Sequence, residues 1–411
     1  IGEYSGYNPT GANNIFMGYQ AGYGNATDKD AASNVGIGKA ALKAITDGAQ
    51  NVAIGHLAGE ALTTASNVTA VGMGAANDLT TGADGVYLGK TAGQKLTTQN
   101  YNVVIGADAM NAATGVSNSV VVGRQAMGGA AATGDNNVAV GYRAAYDTTT
   151  GYENTFIGYL AGENVTTANR NIFIGPSAGS GFTTSSEFNV VIGSGSMSTN
   201  TQTGNHNVVI LGGINAKADL AETTIIGHSA GAGVSGNNCT FIGKSAGSGT
   251  NSGNDLTAIG HGTLRTVTGS YNTAIGRGAM GDGSGDAGAN LAVGVGALQA
   301  LATGDRNVAL GNYGLSVLTA GNDNVTVGDE AGKKITTSNN TLIGSRAGEK
   351  LAGGNGSNTH IGAWAGRGDS DLYSGSYNTT VGAYTMGDTG LADANYNTIV
   401  GYEAGKAITG G

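Results

Sequence analysis

Proline is nearly missing from this chain, at 2 residues, and cysteine occurs once, as Cys239. A lone cysteine excludes an intrachain disulfide and leaves the redox compartment open. Cys239 stands where the repeat described below usually carries asparagine, with no His or Arg beside it to lower its pKa. It reads as a tolerated small side chain at a turn, not as a reactive thiol. Charge is also scarce: 19 basic against 28 acidic residues leave a net of -9, so there is no electrostatic footprint for a phosphate backbone and nucleic acid is excluded as a partner. Apolar runs of about five residues fall far short of a bilayer span, and no basic amphipathic helix is present, which excludes membrane insertion. No signal peptide is visible. The chain nevertheless starts and stops inside its repeat without an initiator Met or a capping element, which predicts a piece of a longer protein.

What the chain has in abundance is glycine, 76 residues at fixed spacing. Unpatterned, that composition would suggest low complexity; patterned, it marks repeated turns. The phrase Asn-Val-Ala-Ile-Gly at 51–55 recurs with small variations from Ile1-Gly2 to Val400-Gly401. Counting the closing glycine as a marker gives Gly2, Gly18, Gly38, Gly55, Gly72, Gly89 and so on through Gly212 to Gly401, a step of roughly 17 residues. That is too short for a helical repeat or a propeller blade and matches one coil of a solenoid. The predicted fold is all-β, a parallel β-solenoid or β-roll of about 17-residue coils, forming a single elongated repeat domain over 1–411 with a local irregularity of register at 194–227.

Within the phrase, the residue before the marker (Ile54, Val71, Leu88) and the one two earlier (Val52, Thr69, Val86) share a face by the period of a strand and are expected to form the coil interior. The residue between them is apolar too. Since the remainder of the coil looks too polar and short to cover this second face, identical copies of the chain are the simplest cover. The predicted oligomer interface is therefore Ala53, Val104, Val121, Phe156, Phe173, Val191, Phe241, Leu342 and Ile399, meeting on the axis of a homotrimer. Phe156→Asp is then expected to break up the oligomer. Asparagine opens the phrase, as at Asn14, Asn51, Asn102 and Asn154, and a stacked column of it at a corner is a structural device. Triplets such as Asn67-Val68-Thr69 and Asn324-Val325-Thr326 follow from that pattern and not from glycosylation. Alanine three residues after the marker (Ala21, Ala58, Ala92) implies a tight corner. The Thr-rich return that follows, such as Leu62-Thr63-Thr64, is expected to form a second, outer strand.

Several segments imitate chemistry. Gly175-Pro176-Ser177-Ala178-Gly179, Gly227-His228-Ser229-Ala230-Gly231 and Gly243-Lys244-Ser245-Ala246-Gly247 match a nucleophile elbow, yet both glycines and the alanine are repeat residues. The serine register holds Gln20, Leu57, Arg143 and Trp364 elsewhere, as a variable exposed position should. Gly85 to Thr91 has the wrong glycine spacing for a phosphate loop, and no calcium-binding nonapeptide is present. No catalytic residue, no cofactor and no metal site is expected. His360 occupies the assigned axial register, where three copies could hold a metal or anion, although a packing role is favoured without a second ligand. Longer steps near the end carry Trp364, Tyr373, Tyr377, Tyr384 and Tyr396, candidates for stacking on a glycan. Stacked threonines also raise ice binding as a remote alternative.

The run Asn-x-Ala-Ile-Gly-x-x-Ala, spaced by Leu-Thr-Thr-Gly and Asn, resembles the repeats of bacteriophage tail-fibre shafts. It is similar, less closely in period, to the head β-roll of trimeric autotransporter adhesins. The resemblance spans nearly the whole chain and implies a trimeric, extracellular, elongated fibre on a virion or cell surface. Such a shaft projects a binding element toward a glycan or protein receptor. The chaperone, anchor and receptor-binding tips of those families have no counterpart here.

Overall fold

A computed structural model describes residues 2–8, 11–24, 30–184, 186–198, 203–210, 220–249, 252–353, 356–368, 374–386 and 395–405. They fall into two compact units, Ile1–Ile210 and Leu211–Gly411. In the first, 12 strands of three residues run from β1 (Ile15–Met17) to β12 (Val208–Ile210). Each pairs in parallel with the strand of the next coil, Val52 opposite Thr69, Ala53 opposite Ala70 and Ile54 opposite Val71. The second unit repeats this with 11 strands, from β13 (Thr224–Ile226) to β23 (Thr398–Val400). Among the described residues there is no helix. A parallel pair needs a crossover of a dozen or more residues, and here the rest of the coil supplies it. Each unit is a parallel β-solenoid.

Left-handed residues make the corners. The marker carbonyl accepts from the N–H three residues on, as from Ala58 to Gly55 at 3.3 Å, and the residue between, Leu57, has φ of 58°. Further left-handed corners follow two residues later, as at Leu42 (φ 51°), and just before the asparagine, as at Gln50 (φ 59°). Each such non-glycine residue costs about 1–2 kcal/mol, offset because the corner N–H is used: Leu57 N donates to Lys39 O and Gln50 N to Ala32 O, both at 3.0 Å. The marker itself must be glycine twice over. Gly55 has φ of 137°, and a Cβ there would lie 2.5 Å from the carbonyl oxygen of Gly72 in the next coil.

The two strand faces are the reverse of the sequence expectation. Ala53, Val104, Val121, Phe156, Phe173, Val191, Phe241 and Leu342 are wholly buried inside a single chain, and Ile399 nearly so. Their flanking residues are half-buried or exposed. The predicted interface row is thus the coil core, and the predicted interior faces outward. The return supplies the cover that seemed missing: seven residues after the marker it turns one apolar side chain inward, including Ile45, Leu62, Leu79, Leu96, Val165 and Leu318. The recurrent alanines Ala21, Ala58 and Ala92 are buried at the tight corner, as expected. Among the described residues the return forms no second strand, only the isolated bridges Asn169 to Glu187 and Val267 to Gly285; its threonines stack through single backbone bonds, such as Thr63 N to Thr80 O at 2.9 Å.

Volume is balanced across each coil. The central strand residue meets the residue four after the marker, and where the first is large the second is glycine. A Cβ on Gly162 would lie 2.5 Å from Phe156, on Gly247 2.3 Å from Phe241 and on Gly366 2.5 Å from His360. In several coils with a small first residue the second is larger: Ala292 is followed by Leu298, Ala309 by Leu315 and Ala274 by Met280, all buried, whereas the space at Gly59, paired with Ala53, is filled by Leu62 and Leu42. Close packing requires this constancy.

One marker moves. Val208–Ile210 pairs with Val190–Ile192, so the residue that follows this strand is Leu211, one before Gly212. Within the irregular stretch, 199–202 and 211–219 lie outside the described residues.

Candidate functional site: the outward strand face and the stacked columns

The strands alternate, and their first and third residues point away from the core. In the first unit the third positions are Met17, Ile37, Ile54, Val71 and their successors, and the first positions are Val or Ile except at Thr69 and Thr155. In the second unit the third positions are again Ile, Val or Leu, while 8 of the 11 first positions are Thr. None of these outward positions, in either unit, is charged, and none is Asn, Gln or Ser. They are open to solvent in the single chain: Ile54 is 38 % exposed, Ile157 38 %, Ile275 37 % and Ile343 38 %. Contiguous exposed apolar strips of this kind mark interaction surfaces. Charges are kept to other columns, where they pair between successive coils, as Arg143 with Glu163 at 3.0 Å, Arg170 with Glu153 at 2.8 Å and Arg367 with Glu349 at 2.9 Å.

The asparagine column is a buried ladder. Asn154 N and Nδ2 donate to Asn137 Oδ1 at 3.0 and 3.2 Å, and Nδ2 also donates to Ala168 O at 2.8 Å. The same link joins Asn154 to Asn171, Asn189 and Asn207 in the first unit. In the second it runs through Asn272, Asn290, Asn307, Asn324, Asn340, Asn358, Asn378 and Asn397. Asn324 is therefore no glycan acceptor. Cys239 takes one rung, its thiol donating to Asn237 O at 3.2 Å, and burial raises its pKa. The thiol is an inert stand-in for an amide.

Ser177, Ser229 and Ser245 all sit at a left-handed corner, with φ of 53° to 56°. Ser229 Oγ lies 3.1 Å from Nδ1 of its neighbour His228, but among the described residues no carboxylate bonds that histidine. Adjacent corner residues do not form a triad. His360 is buried in the coil core, with Nδ1 2.9 Å from Thr380 Oγ1 and Nε2 without a partner. Desolvation pushes its pKa down to about 4. Enclosed by its own coil, it cannot meet copies of itself, which removes the trimeric metal site. Among the described residues no group of three His, Cys, Asp or Glu side chains is placed to hold a metal.

The candidate glycan residues divide between two columns. Trp364 and Tyr384, just after the strand, stack at 6.1 Å with 11° between planes, and the Arg367 and Arg346 guanidiniums lie 3.9 and 4.7 Å from the Trp364 ring. Tyr377 and Tyr396, just before the strand, stack at 4.9 Å and 2°. Tyr373 lies outside the described residues. The sequence reading missed a four-ring cluster of Tyr4, Tyr7, Tyr19 and Tyr23, which the spacing of those tyrosines around Gly18 could have flagged. Several Thr hydroxyls, including Thr63, Thr80 and Thr149, donate to the next coil's carbonyls.

No protein-family model matches the chain, and a search of curated proteins returns no match. Its class rests on the fold: a parallel β-solenoid.

Proposed function

We propose that this chain is the structural shaft of a trimeric extracellular fibre, of the phage tail-fibre or surface-adhesin kind, which projects a receptor-binding element for attachment to a host or surface. The observation that carries this reading is the uncharged outward strand face, with Ile, Val, Leu, Met and Thr at every outward position. A closed threefold arrangement of copies would bury that strip on all of them at once, at about 1.5–3 kcal/mol for each large side chain covered. No catalytic constellation competes for the surface, and the reading is non-enzymatic.

Sedimentation of the wild-type chain is expected to give a trimer. Ile157→Asp with Ile174→Asp should yield folded monomers, because both side chains point outward. A wild-type monomer, or a trimer indifferent to both substitutions, would sink the proposal.

A second reading, a glycan-binding module in the 364–402 region, is favoured by the stacked and exposed rings of Tyr377 and Tyr396, the latter 78 % exposed. Binding on a glycan array that disappears in Tyr396→Ala is its expected signature, whereas a pure shaft binds nothing there.

A further inference from the structure

The column just before the asparagine ladder is one in which flat side chains stack from coil to coil. Phe188 and His206 lie 5.1 Å apart at 12°, Tyr377 and Tyr396 4.9 Å apart at 2°, and Arg170 sits 5.3 Å from the Phe188 ring. In the second unit this column reads Tyr271, Ala289, Arg306, Asp323, aligned by the bonds Ala289 N to Ser270 O and Arg306 N to Gly288 O. Ala289 is a small rung between two flat ones. Above it opens a groove of about 400 Å³ bordered by Tyr271, Asp286, Gly288, Asp305 and Arg306.

We infer that this vacant rung is a binding site for an uncharged pyranose, stacked on the Tyr271 ring and bordered by Asp286, Asp305 and Arg306. One coil step of about 4.8 Å separates the Ala289 rung from Tyr271, so a ring at that rung lies within the 4.5–7 Å range of a stacked partner. Tyr271 is 68 % exposed and free to serve as a platform. Arg306 is held by Asp323 of the following coil, Nε and Nη2 donating at 2.7 and 2.9 Å, which fixes the guanidinium at the far side of the groove. Asp305 Oδ1 accepts from Gly288 N at 2.8 Å, fixing that carboxylate at the floor, and Asp286 is exposed at the margin. Carboxylates without a donor to spare accept sugar hydroxyls. They also repel carboxylated or phosphorylated ligands, which selects neutral sugars over uronic acids, sialic acid or nucleotides. The site is argued separately from the shaft reading, since none of its lining residues belongs to a strand.

Saturation-transfer NMR on the full chain tests this with methyl glucoside, methyl galactoside, N-acetylglucosamine, glucuronate and adenosine as probes. At least one neutral sugar should give a signal and glucuronate none. Ala289→Tyr, which fills the rung with a residue the column already carries at the same left-handed φ, should abolish it. Tyr271→Ala, at an exposed position, should weaken binding about tenfold. Silence from all neutral sugars, a signal that survives Ala289→Tyr, or binding of adenosine in their place would overturn the assignment. None of these outcomes bears on whether the chain is a trimer.

Discussion

Phe156 occupies the space that Gly162 leaves open, and the pair behaves as one packing unit. Phe156→Ala is expected to cost about 3–5 kcal/mol through the cavity it leaves. Adding Gly162→Leu, which recreates the arrangement of Ala292 with Leu298, should recover much of that loss in chemical denaturation. Phe156→Asp should unfold the first unit instead of dissociating an oligomer, because the ring is in the core. His360 gives the second unit a pH dependence. The unfolded chain takes a proton on this histidine below its ordinary 6.5, whereas the folded chain does so only near 4. Stability is therefore complete above pH 6.5, falls by up to about 3 kcal/mol as the pH drops toward 4, and then levels off. In His360→Leu, which copies the pairing of Leu342 with Gly348, the urea midpoint of the second unit should lose that slope.

At the scale of the element, the three-residue strand and its asparagine stand or fall together. Asn154→Ala removes the acceptor for Asn171 N and Nδ2 and the donor to Ala168 O. Leaving such buried groups unsatisfied should cost about 1–3 kcal/mol, readable as a lowered denaturation midpoint, whereas Asn67→Ala at an exposed corner should cost little. The coil length, the marker glycine, the alanine corner and the asparagine column were all legible in the sequence, because each recurs at a fixed step and a stack of identical coils needs identical backbone. The facing of the strand was not legible. Ala53 and Ile54 are both apolar, and alternation cannot assign sides when neither side is polar. The deciding residues, Leu62 and its equivalents in the return, are single apolar side chains among threonine and glycine with no period of their own. The aromatic columns were hidden for a related reason: Trp364 and Tyr377 look adjacent in sequence but fall beyond opposite ends of a strand.

At the scale of the whole molecule, core and outer surface are written by different positions of one phrase. Large core residues face glycine across the coil, the outward strand positions stay aliphatic, Met or Thr, and the corner positions vary from Ser177 to Trp364. Substitutions at those corners, such as Leu57→Ser, are expected to leave the denaturation midpoint nearly unchanged, within about 0.5 kcal/mol. The asparagine ladder adds a direction to this molecule. Each backbone N–H of the ladder reaches back to the Oδ1 of the rung before it, while the Nδ2 reaches both back to that oxygen and forward to a carbonyl of the following coil. A chain emerging from the ribosome thus presents each new asparagine to an acceptor already in position, and the rung is completed when the following coil closes. Folding of such a stack becomes a propagation from coil to coil.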